Sequence, residues 1–234
     1  MEQDPELSLL LARHSIRTTY QRDKIVLPLS NSVLREAIIK SKVELTLRSN
    51  TDGVGTADWS PDGKRIVTAS DDKMAKVWDA STGQELFTLT GHQHGVTAAT
   101  WSPNGLKVAT ASRDMVTKVW STKTGQEVLT LNGHDNWVTA VDWSPDGKWI
   151  ATGSRDETAK VWDAMTGREL ITLNGHENRV TSVNWSPNGK NVATAGSKIT
   201  QIYTTDIDEL LQIAESRVSR QLKAEEKEKY GVLD

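Results

Sequence analysis

The 234-residue chain contains no cysteine. Disulfides and thiolate metal sites are therefore excluded, and the redox compartment stays open. It has no strong excess of either charge: 28 Lys and Arg stand against 31 Asp and Glu, giving a net charge of −3. That balance supplies no electrostatic reason to expect nucleic acid or an anionic membrane as partner. No apolar run approaches the ~20 residues of a membrane span, and the terminus MEQDPELSLLLARHS carries acidic residues where a signal peptide needs positive charge. A soluble cytoplasmic protein is the expectation. Phe and Tyr are scarce, one and three, beside nine Trp. Something selects tryptophan beyond a general need for core volume.

Internal repetition accounts for the tryptophans. WSPDG or WSPNG begins at Trp59, Trp101, Trp143 and Trp185, each 42 residues after the last. Trp78, Trp120 and Trp162 form a second series at the same spacing, and GH at 91–92, 133–134 and 175–176 a third. A period in this range marks a repeat architecture, in which each unit buries its faces against its neighbours. Within one period, VTAVDW (138–143) alternates apolar and polar as a half-buried strand does. SPDGK then supplies a turn, WIATGS (149–154) a second strand, TAKVWDA (158–164) a third and ELITLNG (169–175) a fourth. Four short antiparallel strands per unit is the pattern of one propeller blade.

The GH…SPDG…S-x-D…VWD pattern at this period resembles the WD40 repeat over residues 43–206. The resemblance implies an all-β array of four blades of four antiparallel strands, half of an eight-bladed propeller or a partial one. It also implies that the first strand of each blade lines a central channel and the fourth lies outermost. The expected domains are a helical flank at 1–42, the repeat domain at 43–206 and a helical tail at 207–234. In the first flank, DPELSLLLARHSI has Asp4 as cap and Pro5 at the first helical position, and SNSVLREAIIKSK offers a second helix. In the tail, Leu210, Leu211, Ala214 and Val218 share a stripe. Both flanks are similar to those around the C-terminal WD40 sensor region of bacterial, cyanobacterial-type NACHT or NB-ARC signalling NTPases. The NTPase core itself is absent, because no G-x-x-x-x-G-K-[ST] occurs.

His134, Ser154 and Asp156 are the residue types of a hydrolase triad. The set recurs, however: His92, Ser112, Asp114 and Trp120 repeat His134, Ser154, Asp156 and Trp162, and blade one has Ser70, Asp72 and Trp78 with Asn50 in the histidine place. An active site needs one copy, whereas a repeating fold needs one per unit. The resemblance implies structural tetrads, with Trp bonded to Ser, Ser to His and His to the Asp turn. In blade four Tyr203 takes the Trp place and the turn has no Asp. No catalytic residue, cofactor or metal site is expected. His92 and His94 are two apart but lack a third ligand.

The residues after each GH vary, with Gly95, Trp137 and Arg179 in equivalent places. By the resemblance these face the top rim, as do the residues before the turn Asp: Asp71, Arg113 and Arg155. Trp and Arg are enriched at binding hot spots. Trp137, Arg113, Arg155, Arg179 and His94 are therefore the candidate protein-binding rim. The expected function is a non-catalytic protein-interaction or scaffold module, the sensor part of a bacterial signalling NTPase system. The alternatives are a hydrolase using a rim histidine, or a piece of a longer array with no role of its own. Blade counting leaves VELTLRS (43–49) as an outer strand without a blade, and blade four without a fourth strand. Two copies related by a twofold axis would resolve both in an eight-bladed ring, a homodimer.

Overall fold

The computed structural model describes residues 45–48 and 50–205. The chain divides into two compact units between Thr46 and Leu47, and every described strand lies in the second. Blade one comprises β1 (Val54–Trp59), β2 (Arg65–Ser70), β3 (Met74–Asp79) and β4 (Glu85–Thr90). Blade two comprises β5 (Val96–Trp101), β6 (Lys107–Ser112), β7 (Thr117–Ser121) and β8 (Glu127–Leu131). Blade three comprises β9 (Val138–Trp143), β10 (Trp149–Ser154), β11 (Ala159–Asp163) and β12 (Glu169–Leu173). Blade four has three strands among the described residues, β13 (Ser182–Trp185), β14 (Asn191–Ala195) and β15 (Thr200–Thr204). Each sheet is an antiparallel meander in chain order.

The second and third strands are covered on both faces, so they carry continuous small and β-branched residues: VTAS ends β2 and all four are buried. Each SP(D/N)G turn is closed by its own side chains. Ser60 Oγ donates to Asp62 Oδ1 at 2.6 Å, Lys64 N donates to the same oxygen at 3.1 Å, and Gly63 takes the left-handed φ of +67°.

Blades are joined by a recurring contact. Trp101, at the end of β5, packs in one cluster with Val67 and Val77 of blade one. Trp143 does the same with Ala109 and Val119 of blade two, and Trp185 with Ala151 and Val161 of blade three. At the opposite end of these first strands, Thr97 Oγ1 donates to the Val138 carbonyl across the blade boundary, and Thr139 Oγ1 donates to that of Val180.

Two expectations concern the ends of the array. Residues 45–48, the described part of the expected outer strand 43–49, have no strand conformation. A strand needs a neighbour to complete its hydrogen bonds, and blade one already has β4 as its outer strand. The helices expected at 1–42 and 207–234 lie outside the described residues.

Candidate functional site

In blade two, Trp120 Nε1 donates to Thr110 Oγ1 at 2.8 Å. Thr110 Oγ1 lies 2.7 Å from His92 Nε2, and His92 Nδ1 lies 2.8 Å from Asp114 Oδ2. Donor inventory assigns the protons. An indole only donates, so the threonine oxygen accepts there and gives its own proton to Nε2, leaving Nδ1–H for the carboxylate. Blade three repeats the chain through Trp162, Thr152, His134 and Asp156, at 2.8, 2.7 and 2.7 Å. Burial raises the Asp114 carboxyl, but the hydrogen bonds from His92 and from Gln93 N outweigh it and hold it at about 2. Burial pushes the His134 imidazole down against the opposing pull of Asp156, which keeps the ring neutral.

The hydroxyl in this chain is a threonine, which corrects the expectation for Ser70, Ser112 and Ser154. The strand register gives the reason. Trp120 pairs with Val108 across the β6–β7 ladder, so the nearest same-face hydroxyl is the diagonal neighbour Thr110, and Ser112 lies one more pleat away. Ser112 Oγ instead accepts from Asp114 N at 3.1 Å and donates to the Gly95 carbonyl at 3.0 Å, fastening the turn that aims the aspartate. Ser154 does likewise with Asp156 N and the Asn136 carbonyl, and Ser70 with Asp72 N and the Asp52 carbonyl. His134 Nε2 is thus occupied by Thr152, not Ser154. The serine has no imidazole to take its proton, so the triad geometry does not form at this place. Thr68, Thr110, Thr152 and Thr194 recur every 42 residues, two before the end of β2, β6 and β10 and one before the end of β14, and that recurrence was available as a signal.

Above the blades the rim residues meet across boundaries. Arg113 Nη2 contacts Asp71 Oδ1 at 2.8 Å, joining blade two to blade one. Gly95 allows this approach: a Cβ there would come within 2.9 Å of Asp71 Oδ1. At the next boundary Trp137 takes the glycine's place. Its ring is flanked by Arg113 at 5.1 Å and Arg155 at 4.0 Å, measured from guanidinium carbon to ring centroid. The loop is closed beneath by Arg155 N donating to the Trp137 carbonyl at 2.9 Å. Arg155 is exposed and has no carboxylate partner among the described residues. His94 and Arg179 are also exposed, but neither side chain joins the stack. The rim thus presents one indole between two cations, a surface suited to apolar contact and to carboxylate pairing.

The family model described as WD domain, G-beta repeat matches residues 41–79, 83–121, 125–163 and 167–203. The chain belongs to the WD40 repeat family. WD40 repeats generally mediate protein–protein interaction or scaffolding, and WD40 domains are typically non-catalytic. The matches at 83–121, 125–163 and 167–203 each start just before an outer strand, β4, β8 and β12. The first match begins at residue 41, which puts 43–49 in the place of an outer strand preceding blade one.

The end blades hold shortened versions of the WD40 hydrogen-bond chain. In blade four His176 Nε2 still meets Thr194 Oγ1 at 2.7 Å, but Tyr203 sends its hydroxyl proton to the Asn174 carbonyl at 2.8 Å. In blade one Trp78 Nε1 donates to Thr68 Oγ1 at 2.9 Å, while Asn50 Nδ2 is buried with no partner. Asn50→His is expected to restore the missing link between Thr68 and Asp72. The gain is ~1 kcal/mol, the usual net value of a satisfied buried hydrogen bond. A urea titration reads this as a higher midpoint at unchanged slope, and an unchanged or lowered midpoint refutes it.

Proposed function

We propose that this chain is a non-catalytic protein-interaction module whose binding surface is the rim around Trp137. The supporting observation is the Arg113–Trp137–Arg155 stack. The cation–π contacts restrain both guanidinium groups beside the indole, which lowers the ordering cost of a partner's arrival. The partner surface that fits carries carboxylates around an apolar anchor. The setting we assign is the cytoplasmic sensor end of a bacterial signalling NTPase system, on the resemblance of the flanks.

Trp137→Ala and Arg155→Ala test the reading. Capture of the cellular partner by the immobilised chain is compared for parent and variants by quantitative mass spectrometry. A hot-spot anchor predicts a loss of about tenfold or more in the captured protein for each variant, with unchanged thermal unfolding. Equal capture by parent and Trp137→Ala removes the rim from the function.

A further inference from the structure

The four blades repeat one joint three times and leave half of it open at each end. Trp101, Trp143 and Trp185 are 5, 5 and 8% exposed, whereas Trp59, their equivalent in blade one, is 58% exposed. Val54 is 54% exposed where Val96, Val138 and Val180 are fully buried. The other end shows the reverse face. Val77, Val119 and Val161, which receive the indole of the following blade, are buried, but their equivalent Ile202 is 74% exposed.

Smaller features match in the same register. Gly105, Gly147 and Gly189 each lie against the turn proline of the preceding blade: a Cβ at these positions would be 3.7, 3.6 and 3.7 Å from Pro61, Pro103 and Pro145. Gly63 has nothing within 4 Å of such a Cβ, and among the described residues no turn glycine lies against Pro187. Thr97 and Thr139 donate to Val138 and Val180 of the following blade, while Thr181 donates only to its own Ala195 carbonyl at 3.1 Å. Blade one's leading face thus carries an indole, a free turn glycine and the Val54 carbonyl. Blade four's trailing face carries an apolar seat, a turn proline and the Thr181 hydroxyl.

We propose that these faces dock between two copies of this chain, Trp59 of each copy seated on Ala193 and Ile202 of the other and Thr181 Oγ1 donating to the Val54 carbonyl across the joint. The occupant is a second copy because the matching face of the joint is present on the same chain. Eight blades subtend ~45° each, so two arcs of four that repeat one packing step close by a twofold axis. Residues 45–48 fall into place in the same arrangement. Every outer strand here belongs to the blade preceding the inner strand that follows it, as β4 precedes β5 but lies in blade one. Leu45 and Leu47, the repeat equivalents of Phe87 and Leu89, precede β1 and by that rule belong to blade four of the partner, along β15.

The absence of cysteine makes the test specific. Val54→Cys and Thr181→Cys are prepared as separate full-length chains. Mixed under oxidising conditions, they are expected to form a cross-linked pair, and neither chain alone does so. Light scattering on the parent is expected to give twice the 25.8 kDa chain mass. Trp59→Glu and Ile202→Glu should each return it to 25.8 kDa with the strand circular dichroism retained. If either variant fails to fold, the cysteine pair decides. A monomeric parent at tens of micromolar overturns the proposal, and so does a mass that grows with concentration without limit. A dimer that survives both glutamate variants, or a mixture without cross-link, also overturns it. Trp137→Ala leaves the mass unchanged on this proposal, so failure of the rim reading is seen separately.

Discussion

Thr152→Val should unfold at a much lower urea concentration than the parent, a loss of ~2–4 kcal/mol, although it changes the volume of the core very little. The substitution keeps the shape of the side chain and removes only the oxygen. Trp162 Nε1 then loses its acceptor and His134 Nε2 its donor, both in buried surroundings. A buried polar group left unsatisfied costs its desolvation, which exceeds the net worth of the bond it made. The imidazole cannot recover by taking a proton cheaply, because burial already disfavours its charged form. Ser154→Ala is the control. It removes the acceptor for Asp156 N and the donor to Asn136 O, but leaves the Trp–Thr–His–Asp chain intact. Its expected cost is ~1 kcal/mol. A larger loss from Ser154→Ala than from Thr152→Val reverses the assignment of the hydroxyl.

Trp143→Ala is expected to cost ~3–5 kcal/mol, and Trp143→Phe under ~1.5 kcal/mol. Trp143 sits between blades two and three, packed with Ala109, Val119 and Ile150. Small alanines surround it, so the blades have few side chains able to move into the cavity that alanine leaves. The indole nitrogen behaves differently from that of Trp162. Trp143 Nε1 is buried without a hydrogen-bond partner, so the indole already bears an unsatisfied donor. Phenylalanine gives up contact area but also removes that donor, and the two effects oppose. Urea unfolding of the two variants compares them directly. If Phe costs as much as Ala, the nitrogen has a partner in solution and the account of this joint is wrong.

The strands were legible because turn chemistry and a two-residue period agree within each repeat and recur at a fixed interval. The expected strands at 138–143 and 149–154 coincide with β9 and β10. What was not legible depends on register or on neighbours far apart in sequence. Both Thr152 and Ser154 present hydroxyls on one face of β10, and only the pairing of Ile150 with Trp162 decides which one the indole meets. The rim stack brings together residues 113, 137 and 155 from two blades, so equivalence within the repeat singled them out without bringing them together. The repeated Lys118–Glu127 and Lys160–Glu169 ion pairs, at 2.7 and 3.0 Å, went unnoticed because charges facing each other across the third and fourth strands look like ordinary solvated residues in sequence.

The hydrogen-bond chain starts and finishes inside one blade, spanning 92–120 in blade two and 134–162 in blade three. An indole packed on the preceding blade and a turn glycine against its proline cross all three boundaries, and a threonine on a carbonyl crosses two of them. A stretch of 42 residues therefore carries both plug and socket of its own joint. In-frame duplication of such a stretch adds a blade whose Trp–Thr–His–Asp chain is already complete, so an array of this kind can grow by copying. The departures from the repeat fall in the first and last blades described, where Asn50 stands for histidine and Tyr203 for tryptophan.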